Sequence, residues 1–250
     1  LCQILLPDSG HLQEEEAEYA NRKGFSKHHP ALPLYTEADA RTSLKQLRTV
    51  RLHETFEPLR GWQARLTNAG HILGATSVLI EVGGRRLLFS GDLGRPDDAL
   101  MLAPEPPPQA DVVVCESTYG DRVHPKEDVL AELGPALTRL AARGGTAVVP
   151  VFAVGRAQAL LHAIGQLKAR GDLPHGLPVY LDSPMAVETT ELYERHVSEH
   201  RLNAAQCRDM ERVARLVTSV EHSKAIARQH GPKVVLAASG MATGGRVLHH

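Results

Sequence analysis

Cysteine is scarce in this chain: three residues in 250, Cys2, Cys115 and Cys207, widely spaced and with no Cys-x-x-Cys pair. That excludes a disulfide framework and a cysteine-based zinc finger, so any metal must be held by histidine and carboxylate. Long apolar runs are missing as well. No window approaches the roughly 18 uninterrupted apolar residues of a membrane span. The opening Leu-Cys-Gln-Ile-Leu-Leu lacks the basic flank and the apolar length of a secretion signal. A soluble, cytoplasmic protein is expected. Charge of one sign is also lacking, the formal net charge being −1. A surface that grips long stretches of phosphate backbone normally carries a basic excess. Any nucleic-acid contact is therefore expected to be local, in a cleft where a few cations suffice. Arg122, Lys126 and Arg156 are the candidates for that charge, Arg156 foremost.

What the chain does have is a hairpin that carries a histidine and an aspartate to one end of a sheet. Ala69-Gly70-His71-Ile72-Leu73-Gly74 precedes an apolar run, Gly83-Gly84 supplies the turn, and a second run leads to Ser90-Gly91-Asp92-Leu93-Gly94. If Val82 faces Arg85 across the turn, Asp92 falls opposite Ala75 and His71 lies just beyond. A neutral imidazole and a carboxylate are ligands for first-row metals. A third acid, Glu116 in Cys115-Glu116-Ser117-Thr118-Tyr119-Gly120, follows the next strand, residues 111–114. Against this stands the simpler reading, in which the histidine is solvated and an aspartate between glycines bonds its own turn.

Elsewhere the pattern is coarser. Residues 1–10 read as a short apolar strand, residues 13–23 as a solvated helix or loop, and residues 36–48 as a helix with Thr36 as N-cap and Glu37 and Asp39 in its first turn. Strand-like stretches occupy residues 50–66, and five prolines in residues 96–110 make a loop. His11, His28 and His29 have no companion at metal-ligand spacing and are read as structural or solvated. After Gly120, residues 128–143 form an amphipathic helix with Val129, Leu130, Leu133, Leu137 and Leu140 on its stripe.

Three strand-loop-helix units follow. Their loops contain Ala153-Val154-Gly155, Asp182-Ser183-Pro184 and the stretch from Ser239 and Gly240 to Gly244-Gly245. Alternating strands and helices imply a parallel sheet with ligands gathered at the carboxyl ends of its strands. The glycine-rich stretch matches neither the dinucleotide fingerprint nor the P-loop, which argues against a nucleotide cofactor. Backbone N–H groups at Ser239 and Gly240, with the hydroxyls of Ser183 and Ser239, are candidates to hold a phosphate of a longer chain. For Gly244-Gly245 alone, a tight packing turn is the preferred reading.

The order of motifs is more specific than any one of them. Gly-His-Ile-Leu-Gly-Ala, Ser-Gly-Asp-Leu-Gly-Arg, Glu-Ser-Thr-Tyr-Gly-Asp and Val149-Pro150-Val151-Phe152-Ala153-Val154-Gly155-Arg156-Ala157-Gln158 resemble the metallo-β-lactamase-fold nucleases that carry the β-CASP insertion. Within that group the chain is most similar to the RNA-cutting branch related to the cleavage and polyadenylation endonuclease. The resemblance implies a partial αββα metallo-β-lactamase domain over residues 1–120 and a partial, parallel-sheet α/β β-CASP domain over residues 121–250. It implies that His71 ligates one of two zinc ions, with manganese as the alternative metal, and that Asp92 bridges both. Glu116 would orient a histidine that protonates the leaving oxygen, and glutamate there resembles the RNA-processing members.

The family's His-x-His-x-Asp-His motif is absent from this chain, as are its downstream histidine motifs, which His249 and His250 do not match. The expectation is therefore the central portion of a zinc-dependent ribonuclease, inactive by itself. Its substrate would be single-stranded RNA, and its candidate partners a second copy or an RNA-processing complex. The competing classes are a non-catalytic RNA-binding or scaffold subunit of the same fold and a small-molecule metallo-hydrolase. The second domain argues against the latter, because a cleft between two domains suits an extended polymer.

Overall fold

The computed structural model describes residues 1–123, 128–242 and 245–250. Lys126, Thr243 and Gly244 lie outside the described residues. The chain divides into two compact units, Leu1–Val50 and Arg51–His250. The boundary expected at residues 120/121 falls within the second unit, between its two sheets.

The first unit is a helical pair. Helix α1 spans Cys2–Lys23 and α2 spans Glu37–Leu44. The strand expected over residues 1–10 is not there: those residues belong to α1, with Pro7 inside it. The run from Leu12 to Lys23 is rich in Glu and Ala, both good helix formers. Once such a segment is nucleated, extending it costs little, which carries the helix back through Pro7. Packing supplies the other reason. A Cβ on Gly10 would lie 2.7 Å from the backbone of Thr36 and Glu37, so only glycine lets α1 approach the start of α2 so closely. At that start Thr36 is the expected N-cap, in a capping box with Asp39.

The second unit opens with a five-stranded sheet of order β1-β2-β3-β4-β5, made of Thr55–Leu59, Trp62–Asn68, Thr76–Val82, Arg85–Phe89 and Val112–Val114. The first four strands are antiparallel, and β5 runs parallel to β4. Val82 pairs with Arg85 and Val78 with Phe89, which is the register expected from the sequence. Gly83 and Gly84 both have positive φ, 57° and 71°, as a two-residue turn matching the strand twist requires.

Helix α3, Val129–Ala142, follows with Asp128 as its N-cap. It leads into a four-stranded parallel sheet of order β6-β9-β7-β8: Thr146–Pro150, Lys233–Ala237, Val179–Asp182 and Arg215–Val217. Helices α4 (Arg156–Arg170), α5 (Pro184–Arg195), α6 (Ala204–Val213) and α7 (Val220–Ala227) complete it. Every residue of the central strands β7 and β9 is buried, which explains their unbroken apolar runs. Leu161, Ile164 and Leu167 of α4 are buried too, at helical spacing. Among the described residues no helix is long and apolar enough to cross a membrane.

A carboxylate sits inside this core. Asp182, at the end of β7, is fully buried. It accepts hydrogen bonds from Ser223 Oγ, from Arg246 Nη1 at 2.8 Å and from His250 Nε2 at 2.7 Å. Burial alone would push its carboxyl up, but the bonds from Ser223, Arg246 and His250 prevail and hold it below the ordinary aspartate range. Arg246 also donates to the carbonyls of Val217, Thr218 and Ser219, so the pair fastens the ends of β7 and β8 to the turn after β9.

Asp182→Ala should destabilise the chain by about 3–5 kcal/mol, because it strands the Arg246 charge. The unfolding midpoint in urea measures this. A depressed carboxylate contributes its stability above its unfolded value, so the gap between wild type and variant should hold at neutral pH and shrink below about pH 4.

Candidate active site

The hairpin ends at two loops that touch through their backbones. Gly94 N–H donates to Ala69 O at 2.8 Å. A Cβ on Gly94 would lie 1.8 Å from Gly70 O and 2.7 Å from His71 N, so no other residue fits there. Gly70, with φ of 68°, is enclosed from another direction: its own Cβ would meet Leu102 O at 2.6 Å and Pro104 N at 2.8 Å. Asn68 shapes the approach, its Oδ1 accepting from Gly70 N–H at 2.9 Å in an Asx-turn. His71 and Asp92 are thereby presented on adjoining loops, both exposed.

Glu116 reaches the same edge through Ser90. The Ser90 N–H donates to Val114 O at 2.9 Å, its Oγ accepts from Glu116 N–H at 3.0 Å and donates to Gly91 O at 2.7 Å, and its carbonyl accepts from Ser77 Oγ at 2.8 Å. All the hydrogen-bonding groups of one buried serine are thus used, and two of these bonds tie the start of the Asp92 loop to the segment leading into Glu116. The Glu116 carboxyl is held below the ordinary glutamate range. Foremost is the Thr118 N–H, which donates to Oε2 at 2.9 Å, and next the Thr118 hydroxyl. A small desolvation acts the other way, and the Leu93 N–H and the nearby His71 add to the lowering. Glu116 is thus held by the backbone of the Asp92 loop, at Leu93, and lies near His71.

Those candidates are of the right donor types for zinc, but among the described residues no three His, Cys, Asp or Glu side chains gather where one ion could bind. A catalytic zinc takes three protein ligands and an open position. The residues described therefore do not complete a metal site, and no chemical step is assigned to a metal here.

The loops of the parallel sheet meet at its carboxyl edge. Gly240 lies against Phe152: a Cβ there would be 2.8 Å from the Phe152 ring and 2.9 Å from its N, so the loops after β6 and β9 are in contact. Ser239, partly exposed, accepts from Met241 N–H at 3.4 Å. Ser183 is buried, and its hydroxyl accepts from Ala186 N–H at 3.2 Å as the N-cap of α5. Arg156 is exposed at the start of α4. Ile72, next to His71, has its Cγ2 3.5 Å from where a Cβ on Gly155 would lie. The start of α4 is thereby set beside the His71 loop. Arg122 is elsewhere engaged, pairing with Asp121 at 3.0 Å.

Two further residues position this edge. Gln158, fully buried, accepts from Gly155 N–H at 2.7 Å and directs its Nε2 at Ala153 O, Ala186 O and Thr190 Oγ1. Arg201 donates from Nε to Met101 O at 2.7 Å and from Nη2 to Pro96 O at 2.9 Å, while its own N–H donates to Leu100 O at 2.7 Å. The loop that continues from Asp92 is thus clamped by the segment between α5 and α6. Asn68 carried a sequence signal, two residues before a glycine. Ser90, Gln158 and Arg201 carried none, since their roles depend on partners distant in sequence.

Residues 157–250 match the family model described as Beta-Casp domain. Residues 157–250 therefore belong to the β-CASP domain family. The chain is similar to "Ribonuclease TTHA0252" of Thermus thermophilus, 38% identical over 225 residues, which cover 87% of this chain and 51% of that protein. Other relatives include "Cleavage and polyadenylation specificity factor 73" of Drosophila melanogaster, 32% identical over 85% of this chain and 31% of that protein. "Endoribonuclease YSH1" of Mycosarcoma maydis is 30% identical over 85% of this chain and 24% of that protein. The chain spans about half the length of the Thermus relative and less than a third of the other two.

Gly94→Ala should displace the His71 loop and destabilise the chain by about 1–3 kcal/mol, the cost of overpacking a closed contact. Thermal unfolding and the amide shift of His71 report on both effects. In a carboxyl-detected NMR titration Glu116 should protonate below the ordinary glutamate range, and Thr118→Val should move it upward.

Proposed function

We propose that this chain forms the central part of a metal-dependent phosphodiester hydrolase that cuts single-stranded RNA. The observation that carries the proposal is the backbone contact of Gly94 on Gly70 and His71. Together with the Ser90 knot, it brings His71, Asp92 and Glu116 to one edge before any ligand is bound. Relatives named as ribonuclease and endoribonuclease support the choice of reaction.

In this reading residues 1–120 belong to the metallo-β-lactamase domain and residues 121–250 to the β-CASP domain. His71 and Asp92 are contributed to a two-zinc site, or a two-manganese site, whose remaining ligands lie outside the described residues. Such ions, when bound, would acidify a water and neutralise charge on the phosphate. The residues of this chain do the rest. Glu116 stays ionised and accepts hydrogen bonds, so it can fix the orientation of a proton donor above the leaving oxygen. Arg156 offers a guanidinium to a neighbouring phosphate, and Ser239 and Gly240 offer a hydroxyl and a backbone N–H on an adjacent loop. A cytoplasmic location, with a second copy or an RNA-processing complex as partner, goes with this reading.

A second reading, a non-catalytic RNA-binding subunit, draws on the incomplete donor set among the described residues. Cleavage of a labelled single-stranded RNA by a protein extended beyond both ends of this chain separates the two. Asp92→Ala should lower the rate on the order of a hundred- to a thousandfold, and Glu116→Gln by about ten- to a hundredfold, while the 250-residue chain alone cuts nothing. An extended protein that holds RNA, with metal supplied, and never cuts it would establish the binding subunit instead.

A further inference from the structure

The Leu1–Val50 unit carries a cluster that the hydrolytic edge does not use. Residues 19–29 read Tyr-Ala-Asn-Arg-Lys-Gly-Phe-Ser-Lys-His-His: two aromatics, three permanent cations, two histidines and no acid. In a chain of net charge −1 this is a marked local excess. Gly24 ends α1 in the left-handed conformation, φ 69°, and turns Phe25 back onto Tyr19. The two rings meet edge to face, centroids 5.9 Å apart at 60°. Arg22 Cζ and Lys23 Nζ lie 5.8 and 5.9 Å from the Tyr19 centroid.

These rings are not part of a core. Phe25 is 63% exposed and Tyr19 48%, and Lys27, His28 and His29 beside them are exposed as well. A place at the C-terminus of α1 explains the sign of Arg22 and Lys23, which complement the helix dipole. It does not explain an aromatic pair held in water among them. Nor is the pair loosely attached. Asn21 bonds Ala31 in both directions, Nδ2 to O at 2.8 Å and N–H to Oδ1 at 2.7 Å. Leu34 N–H reaches Gln13 Oε1 at 3.0 Å, and Tyr35 Oη meets Ser9 Oγ at 2.7 Å. The segment after Phe25 is thus lashed along its own helix, and the rings and cations are fixed before a ligand arrives. The acids of α1 lie N-terminal to the cluster: Glu14 accepts from Glu37 N–H, Glu15 pairs with His11, and Glu18 is the nearest in sequence.

Exposed π-faces interleaved with cations, with no acid among them, complement a flexible polyanion whose bases are free to stack. A duplex hides those faces, whereas a single strand offers them. We propose that Tyr19, Phe25, Arg22, Lys23 and Lys27 form a stacking platform for single-stranded RNA, separate in the chain from His71, Asp92 and Glu116. That the polyanion is RNA rests on the function proposed above; the stacking chemistry rests on the rings and cations alone. Bases pack on the Phe25 and Tyr19 rings, and the three cations take the flanking phosphates.

The test uses the whole chain and a fluorescent single-stranded RNA of about 12 nucleotides, a length within the range one such site covers. Phe25→Leu keeps an apolar side chain and removes the ring. It should weaken binding at least about fivefold, as loss of one base–aromatic stack does. Arg22→Gln with Lys23→Gln should flatten the dependence of log affinity on log salt by about 1.4, at roughly 0.7 per phosphate contact on a single strand. Circular dichroism confirms that each variant is folded. The hydrolytic reading is tested separately, by cleavage in the extended protein, where Phe25→Leu leaves the groups at the hydrolytic edge intact, so either reading can fail alone. Three results would overturn the platform: no binding of RNA by the chain, equal affinity for wild type and Phe25→Leu, or a duplex bound as tightly as the single strand. Binding to vesicles of anionic phosphatidylserine without binding to RNA would likewise replace it with a membrane contact.

Discussion

The site depends on a contact that has no room for a side chain. Gly94 lies so close to Gly70 that a single added carbon would fall 1.8 Å from a carbonyl oxygen. Because the obstacle is backbone on both sides, no rotamer change relieves it. The two loops can be this close only while position 94 is glycine, and this closeness sets His71 beside the aspartate loop. Hydrogen bonding then fixes what sterics allow, through Gly94 N–H on Ala69 O and the Asx-turn at Asn68.

Around that contact the fold places cross-links of increasing reach. Ser90 joins the ends of β4 and β5 and sets where Glu116 begins. Arg201, between α5 and α6, holds the loop beyond Asp92, and Gln158 holds the loop that meets Ile72. Ser90 and Gln158 are polar groups satisfied inside the protein, and losing either would leave unpaired partners, the more expensive half of a hydrogen bond. The result is an exposed edge with little freedom of its own, carrying an ionised glutamate against a histidine. Such an edge suits a reaction in which charge must be met by groups already in place.

Much of this edge was legible from the residues. Two glycines between alternating apolar runs fixed the hairpin turn and therefore the register, which placed Asp92 opposite Ala75 without any structure. Thr36 announced its helix as a cap, the apolar stripe of residues 128–143 announced α3, and alternating strands and helices announced a parallel sheet. Local pattern failed where the deciding partner is remote. Residues 1–10 resemble a strand because a short apolar run stands at their start, yet helix propagation and the Gly10 contact with α2 decide their state. The Ser183 hydroxyl, read as a phosphate ligand, is used by Ala186 as a cap, a role that becomes visible only once the start of α5 is known. Arg201 could not be connected to Met101 from sequence at all, since nothing local marks an arginine a hundred residues away as a clamp.

The most direct measurement is amide hydrogen exchange at Gly94 and Glu116 in the chain as it stands, without metal or RNA. Both N–H groups lie on exposed loops, where exchange is normally fast, but here one is bonded to Ala69 O and the other to Ser90 Oγ. If the edge is built by the fold, both amides should be protected to a degree comparable with those of β3 and β4. Exchange at the rate of an unstructured loop would contradict the account, because His71, Asp92 and Glu116 would then come together only when something else assembles them.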